Sequence, residues 1–180
     1  HMSQMKGIFH SLAHRENDPA DFLRHANRAL NQCLERGSFI SALYFVVDRK
    51  MKAVQYSRAG HCPVLYYSTE TGKAEYLSDK GAALGMVRNN SYDGMISSHR
   101  INYRPGDVMF LFTDGIIEAR RPGGEEYGFE RLASVLEQSA GGSPQEIISS
   151  VVASLHEVAG PEGLKDDHTI LLLKFKEAKP

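Results

Sequence analysis

Two groups of acidic residues adjoin apolar runs that are typical of buried strands. Asp114 follows VMFLF and one threonine, and Asp166 and Asp167 directly precede HTILLLKFK. A carboxylate at the end of a buried strand costs free energy unless it is paired, hydrogen-bonded or bound to a cation. Carboxylate oxygens are the ligands that Mg²⁺ and Mn²⁺ prefer. If both strands end at the same edge of one sheet, these aspartates predict part of a metal site.

Each acidic group also has an ordinary structural explanation. Aspartate is a frequent cap and turn residue, so Asp114 could cap a short helix that begins at Ile116. The pair Asp166 and Asp167 could belong to a solvated turn. The spacing alone leaves these interpretations open beside the metal site.

Other polar residues are weaker candidates for function. The loop AGHCP contains His61, and a lone loop histidine is more often structural than catalytic. Asp107 in RPGD is expected to cap that turn. Arg120 and Arg121 could approach a phosphate, although adjacent arginines more often form a solvated face. The sequence has no P-loop, dinucleotide-binding fingerprint or nucleophile elbow.

Length and composition predict one globular domain. The chain has 180 residues, 42% of them hydrophobic and 24% charged, and its net charge of -1 argues against a nucleic-acid binder. No apolar run reaches the ~20 residues that span a bilayer, and no signal peptide is recognisable, which favours a cytoplasmic protein. Cys33 and Cys62 are expected to be reduced thiols. The His-Met start resembles a cloning scar, so the predicted domain is residues 3–180.

Hydrophobic periodicity predicts a mixed order of helices and strands. The predicted helices are Met2–His14, a helix from Pro19 towards Gly37, Ile116–Ala119, Phe129–Gln138 and a long helix after the capping box that starts at Ser143. The predicted strands are Phe39–Val47, AVQYSRAG, VLYY, AEYL, Met95–Ile101, Val108–Phe112 and HTILLLKFK, the first four forming two hairpins.

Four motifs in order along the chain carry a family resemblance: AGHCPVLYY, GAALGM, RPGDVMFLFTDGIIEARRPGGEEYGFERL and DDHTILLLK. Together they resemble the metal-dependent serine/threonine protein phosphatases of type 2C, in the bacterial stage II sporulation protein E-like branch. The resemblance implies an α+β fold of two stacked, mainly antiparallel sheets flanked by helices. It also implies hydrolysis of phosphoserine or phosphothreonine by a water that two Mn²⁺ or Mg²⁺ ions activate.

The resemblance assigns roles to the acidic residues. It implies that Asp114 and Asp166 are metal ligands at the catalytic centre, and that Asp167 supports the site or binds an accessory ion. The implied substrate is a phosphorylated anti-sigma-factor antagonist in a signalling pathway. Relatives of this kind often carry upstream sensory or receiver domains.

The sequence also departs from the family pattern. It contains neither the glycine-glycine-aspartate strand nor the aspartate-glycine-histidine-glycine element that supply the remaining ligands. We therefore expect the chain to be the C-terminal portion of the domain and to be nearly inactive alone. Missing strands would expose a sheet edge, so a homodimer or larger oligomer is expected. The alternative to a phosphatase is a non-catalytic, phosphatase-like module that binds a partner protein.

Overall fold

The computed structural model describes residues 2–121, 123–160 and 167–177. The α-helices are α1 Met2–Leu12, α2 Pro19–Leu30, α3 Phe129–Ser139 and α4 Pro144–Ala159. The strands are β1 Ala42–Asp48, β2 Ala53–Ala59, β3 Val64–Ser68, β4 Lys73–Leu77, β5 His99–Asn102, β6 Val108–Phe112 and β7 Ile170–Lys174. They form two antiparallel sheets, each with helices packed on it, so the predicted α+β class is confirmed.

The helix predicted from Pro19 towards Gly37 ends at Leu30, with Asn31 as its C-cap. Two further predicted elements also have different boundaries in the structure. The strand predicted at Met95–Ile101 begins only at His99. Met95 belongs to a 3-10 helix, Asn90–Met95, whose first turn is capped by the Asn89 side chain, and residues 96–98 form no regular element. The helix predicted at Ile116–Ala119 is instead a 3-10 helix at Asp114–Ile116. In both places a tight turn lies where longer-range periodicity predicted a regular element.

The chain divides into two compact units, and the first comprises His1–His61 and Asp79–Asn102. Its sheet has the order β1-β2-β5. Helix α2 buries its apolar stripe, which includes Phe22, Leu23 and Leu30, in a core completed by Leu84 and Tyr92. Fully burying a leucine or phenylalanine contributes about 1.5–3 kcal/mol relative to exposure, so this core anchors α2.

Helix α2 begins with a well-made cap. The Asp18 carboxylate accepts hydrogen bonds from the backbone of Ala20 at 2.9 Å and of Asp21 at 3.1 Å, and from the Ser98 hydroxyl at 2.7 Å. Burial alone would raise the pKa of Asp18, but these bonds and nearby Arg24 hold it below its ordinary value. The cap therefore joins the helix start to the segment before β5.

Replacing Asp18 with alanine is expected to lower the free energy of unfolding by about 1–2 kcal/mol. The Asp21 N–H loses its acceptor, and the Ala20 N–H keeps only the Ser98 hydroxyl at 2.9 Å. Urea unfolding at neutral pH measures the change. Asp21→Ala is the matched control, since the half-exposed Asp21 side chain pairs with Arg24 and its loss is expected to cost less than about 1 kcal/mol. Equal losses in both variants would contradict the capping role.

The second unit comprises Cys62–Ser78 and Tyr103–Pro180. Its sheet has the order β4-β3-β6-β7, so β6 is an inner strand with every residue buried. Helices α3 and α4 supply Leu132, Leu136, Ile147, Val151 and Leu155 to the core on this sheet. Helix α4 begins at the predicted capping box, in which Ser143 and Glu146 cap each other's backbone.

Strand β4 is an edge of this sheet, and a helix side chain covers part of its backbone. Glu137 of α3 accepts a hydrogen bond from the Ala74 N–H at 3.0 Å and pairs with Lys73 at 3.4 Å. The bond from Ala74 is the largest cause of a pKa of Glu137 below its ordinary value. One outward-facing donor of the edge is thus satisfied within the unit.

The RPGD turn before β6 is held by a buried carboxylate. Asp107 is 2% exposed and accepts four hydrogen bonds: from the Thr69 N–H and hydroxyl, the Tyr66 hydroxyl and the Arg104 N–H, at 2.7–2.8 Å. The predicted turn cap is therefore confirmed, and Asp107 also ties the end of β3 to the start of β6. Burial alone would raise the pKa of Asp107, but these four donors keep it below its ordinary value.

Two predictions from composition can be compared with the structure. Cys33 and Cys62 are both present as thiols. Within the described ranges, no helix combines the length and apolar character needed to cross a bilayer. The single domain and the homodimer stay predictions.

Candidate metal site

Strand β6 carries the first predicted metal ligand to the end of the second unit's sheet. Its neighbours are β3 and β7, and its ladder with β7 runs in register to the pair of Phe112 and Ile170. A strand buried on both faces has little freedom to move, because its apolar side chains fill a packed core. The residues just beyond Phe112 are therefore held on a rigid support.

Asp114 lies two residues beyond this strand and is exposed. One carboxylate oxygen accepts a bond from the N–H of Gly115 at 3.0 Å, and the other has no hydrogen-bond partner among the described residues. The position that caps the 3-10 helix belongs to Thr113, so Asp114 does not act as the helix cap. Its carboxylate is thus exposed to solvent just beyond a buried, inner strand.

The second acidic group is described only in part. Asp166 lies outside the described residues, whereas Asp167 is described and exposed. The Thr113 hydroxyl donates to the Asp167 carbonyl at 3.4 Å, and the Thr113 N–H donates to the Thr169 carbonyl at 3.2 Å. Asp114 follows the end of β6 and Asp167 precedes the start of β7, so both residues lie at the same end of these two neighbouring strands.

The chemistry of these side chains fits a divalent cation. Exposed carboxylate oxygens on a rigid strand end are suitable ligands for Mg²⁺ or Mn²⁺, which also retain several waters. Within the described residues, no cluster of three or more histidine, cysteine, aspartate or glutamate side chains could hold a metal ion. The described residues therefore do not make up a metal site by themselves, and Asp114 and Asp167 stay predicted ligands.

The remaining candidates have structural partners. Arg120 pairs with Glu126 at 3.2 Å, and Arg121 donates to the Glu157 carbonyl at 2.7 Å. The carbonyl of His61 accepts a bond from Arg58 at 2.6 Å. Both arginines are engaged within the second unit, and the structure assigns no chemical role to His61.

Sequence reasoning missed Arg58, which joins the AGHCP motif to the segment just before GAALGM in the first unit. Besides His61, its guanidinium binds the carbonyl of Asp79, with a distance of 2.7 Å from Nε. The Asp79 carboxylate in turn accepts a bond from the Tyr56 hydroxyl and lies 3.2 Å from Nδ1 of His99. Burial, and then the bond to Asp79, raise the pKa of Tyr56.

The backbone contact between AGHCP and GAALGM requires small residues, and two glycines show why. The Gly60 N–H donates to the Gly81 carbonyl at 2.8 Å. A Cβ on Gly81 would lie 1.6 Å from the Arg58 carbonyl oxygen, so only glycine fits. The motifs AGHCP and GAALGM therefore form a close backbone contact. The sequence features that could have indicated this contact are the glycine in each motif and the arginine just before AGHCP.

A comparison with protein-family models decides the family. The model described as stage II sporulation protein E (SpoIIE) matches residues 1–176 of the chain. The chain belongs to this family. The resemblance carried by the four sequence motifs is therefore confirmed, and the DDHT segment and the strand-end Asp114 lie inside the matched region.

Individual members and structures agree with the SpoIIE family assignment. The phosphoserine phosphatase RsbU of Bacillus subtilis (strain 168) is 30% identical over 178 residues, which cover 97% of this chain and 50% of RsbU. The SiaA-PP2C domain of Pseudomonas aeruginosa has a TM-score of 0.79 at 24% identity, covering 97% of this chain and 67% of that one. RsbX, solved in complex with magnesium, has a TM-score of 0.64 at 18% identity, covering 94% and 70%.

These likenesses differ in what they establish. The two structures, below 25% identity, support the fold alone. The chain spans about half the length of RsbU. The SpoIIE family and its phosphatase fold are thus assigned, while activity, substrate and partners require a proposal.

Proposed function

We propose that the protein hydrolyses phosphoserine or phosphothreonine in a regulatory protein, as a metal-dependent phosphatase of the SpoIIE family. The observation that carries the proposal is the exposed carboxylate of Asp114 on a rigid strand end, beside the segment that begins at Asp167. An aspartate kept only for the local turn would need no such support. A metal ligand does, because its position must be held closely.

The residues proposed to hold the ions are Asp114, Asp166 and Asp167. Bound Mn²⁺ or Mg²⁺ would supply a Lewis acid and a water of lowered pKa. The chain's own part is to hold carboxylate oxygens at the sheet edge: β6 fixes Asp114, and the backbone bond between Thr113 and Thr169 fixes the start of β7. Support for a metal comes from the ligand chemistry and from RsbX, which was solved with magnesium.

The proposed substrate is a phosphorylated anti-sigma-factor antagonist. The support is family membership together with the likeness to RsbU, which is named a phosphoserine phosphatase. The protein would then act in cytoplasmic signal transduction that regulates a sigma factor. Members of the family that the sequence resembles often carry an upstream sensory or receiver domain, and such a domain would provide the signal that controls the phosphatase.

The 180 residues by themselves are expected to be a poor catalyst. They contain neither the glycine-glycine-aspartate strand nor the aspartate-glycine-histidine-glycine element. Losing an outer-shell partner of a metal ligand already costs about 10–100-fold, so losing ligands costs at least as much. We expect phosphate release at least about 100-fold slower than from a gene product that carries both elements.

The test begins with the source gene upstream of the Ser3 codon. If it encodes both elements, the longer product and the 180-residue chain are compared for phosphate release from a phosphoserine protein, with Mn²⁺ and with a chelator. Metal-dependent release by the longer product alone is expected. Equal phosphate release by the longer product and the 180-residue chain would contradict only the claim that the missing elements are required for activity. No release by either, or a gene without these elements, would contradict the phosphatase and favour the binding module.

A further inference from the structure

The β6–β7 ladder ends in an unusual way at Thr113. In an antiparallel ladder, a hydrogen-bonded pair of residues exchanges two backbone bonds. Thr113 faces Thr169, one step beyond the pair of Phe112 and Ile170. The first of their two bonds is present, from the Thr113 N–H to the Thr169 carbonyl at 3.2 Å. The second would run from the Thr169 N–H to the Thr113 carbonyl.

A side chain replaces that second bond. The Thr113 carbonyl is diverted into the 3-10 turn, where it accepts the N–H of Ile116 at 3.0 Å. The Thr169 N–H donates instead to the Thr113 hydroxyl, at 3.0 Å. Since a hydroxyl can accept and donate at once, it also donates to the Asp167 carbonyl at 3.4 Å. The chain can thus turn at Asp114 while the two strand ends stay joined.

The usual role of a threonine at this position is not used. Threonine at the start of a helix normally accepts a bond from a backbone N–H of the first turn. Thr113 makes no such bond. Its hydroxyl instead bonds to Asp167 and Thr169, which directly precede β7, at the point where the chain leaves β6 towards Asp114.

We propose that Thr113 is a positioning residue for the metal site, an inference that rests on the proposed function. Its hydroxyl holds the segment that begins at Asp167 against the strand end that carries Asp114. The separation between Asp114 and Asp167 is then set by a side chain that does not itself bind the ion. This places Thr113 outside the ligands and makes metal affinity depend on it.

The test uses the 180-residue chain and three variants. Thr113→Val keeps the shape and removes the hydroxyl, and Thr113→Ser keeps the hydroxyl. Thr71→Val is the matched control, because the Thr71 hydroxyl also accepts one backbone N–H, from Lys73 at 3.3 Å, in an exposed turn. Mn²⁺ is titrated while the broadening of the Gly115 and Thr169 amide signals is followed by NMR. Hydrogen exchange of the Thr169 amide is measured without metal.

For Thr113→Val we expect Mn²⁺ affinity to fall about 10-fold and the Thr169 amide to exchange at least about fivefold faster. Thr113→Ser is expected to restore both values, and Thr71→Val to change neither. Wild-type affinity and exchange in Thr113→Val would overturn the positioning role alone. If Mn²⁺ broadened neither signal in the wild-type chain, Thr113 would have no site to position and the proposal would be overturned. The proposed function is judged separately, by phosphate release from the longer product, so the two failures are distinguishable.

Discussion

Replacing Asp114 with asparagine is expected to lower Mn²⁺-dependent phosphate release by at least about 100-fold in a product that carries the complete set of ligands. The exposed carboxylate loses its charge while the side chain keeps its shape. Asparagine can still accept the Gly115 N–H, so the free energy of unfolding should change by less than about 0.5 kcal/mol. Phosphate release at saturating Mn²⁺ and urea unfolding measure the two quantities.

The matched control is Asp48→Asn, which also removes one exposed charge. Asp48 accepts the N–H groups of Lys50 and Met51 in the turn after β1, in the first unit, and has no proposed metal role. It should retain wild-type release. If Asp114→Asn retained wild-type release as well, the strand-end carboxylate would not be a ligand and the proposed site would be wrong.

Asp107→Ala should lower the free energy of unfolding by about 4 kcal/mol, and Tm by roughly 10 °C. The substitution leaves four donors without their acceptor, in the buried turn that joins β3 to β6. Urea unfolding at pH 7 measures the loss. Asp48→Ala removes an exposed turn carboxylate and is expected to cost less than about 1 kcal/mol.

The contribution of the Asp107 charge to the free energy of unfolding should depend on pH. Its pKa in the folded chain is below the ordinary aspartate value of about 3.9. The stabilisation is therefore fully present above that ordinary value and is lost as the pH falls through the folded pKa. The difference in stability between wild type and Asp107→Asn should narrow below about pH 4. A difference that stays constant down to pH 3 would show that shape and hydrogen bonds matter and charge does not.

Most of the fold could be predicted because its elements carry strong local patterns. The inner strand β6 is a continuous apolar run, and α4 begins with a capping box and a proline, so both are placed correctly by sequence alone. The errors lie at the end of α2, which stops at Leu30 and not near Gly37, and beside two short 3-10 turns, Asn90–Met95 and Asp114–Ile116. Such turns depend on one or two specific hydrogen bonds, and periodicity over longer windows does not detect them.

The candidate site was predictable to a smaller extent. The aspartates stand out because acidic residues at the ends of apolar runs need an explanation. Thr113 could not be identified, because its role depends on its carbonyl turning away from Thr169, which only coordinates reveal. Arg58 escaped detection for a similar reason, since both of its acceptors are backbone carbonyls of separate segments.

The Glu137 contact with the edge strand β4 affects how copies of this chain can associate. A strand from another molecule that added to β4 would have to displace a carboxylate already bound to the Ala74 N–H. Since this bond helps to keep the pKa of Glu137 low, the carboxylate stays charged in mildly acidic solution and continues to repel an incoming backbone carbonyl. Through this one side chain, helix α3 disfavours the addition of a further strand at the Ala74 position of β4.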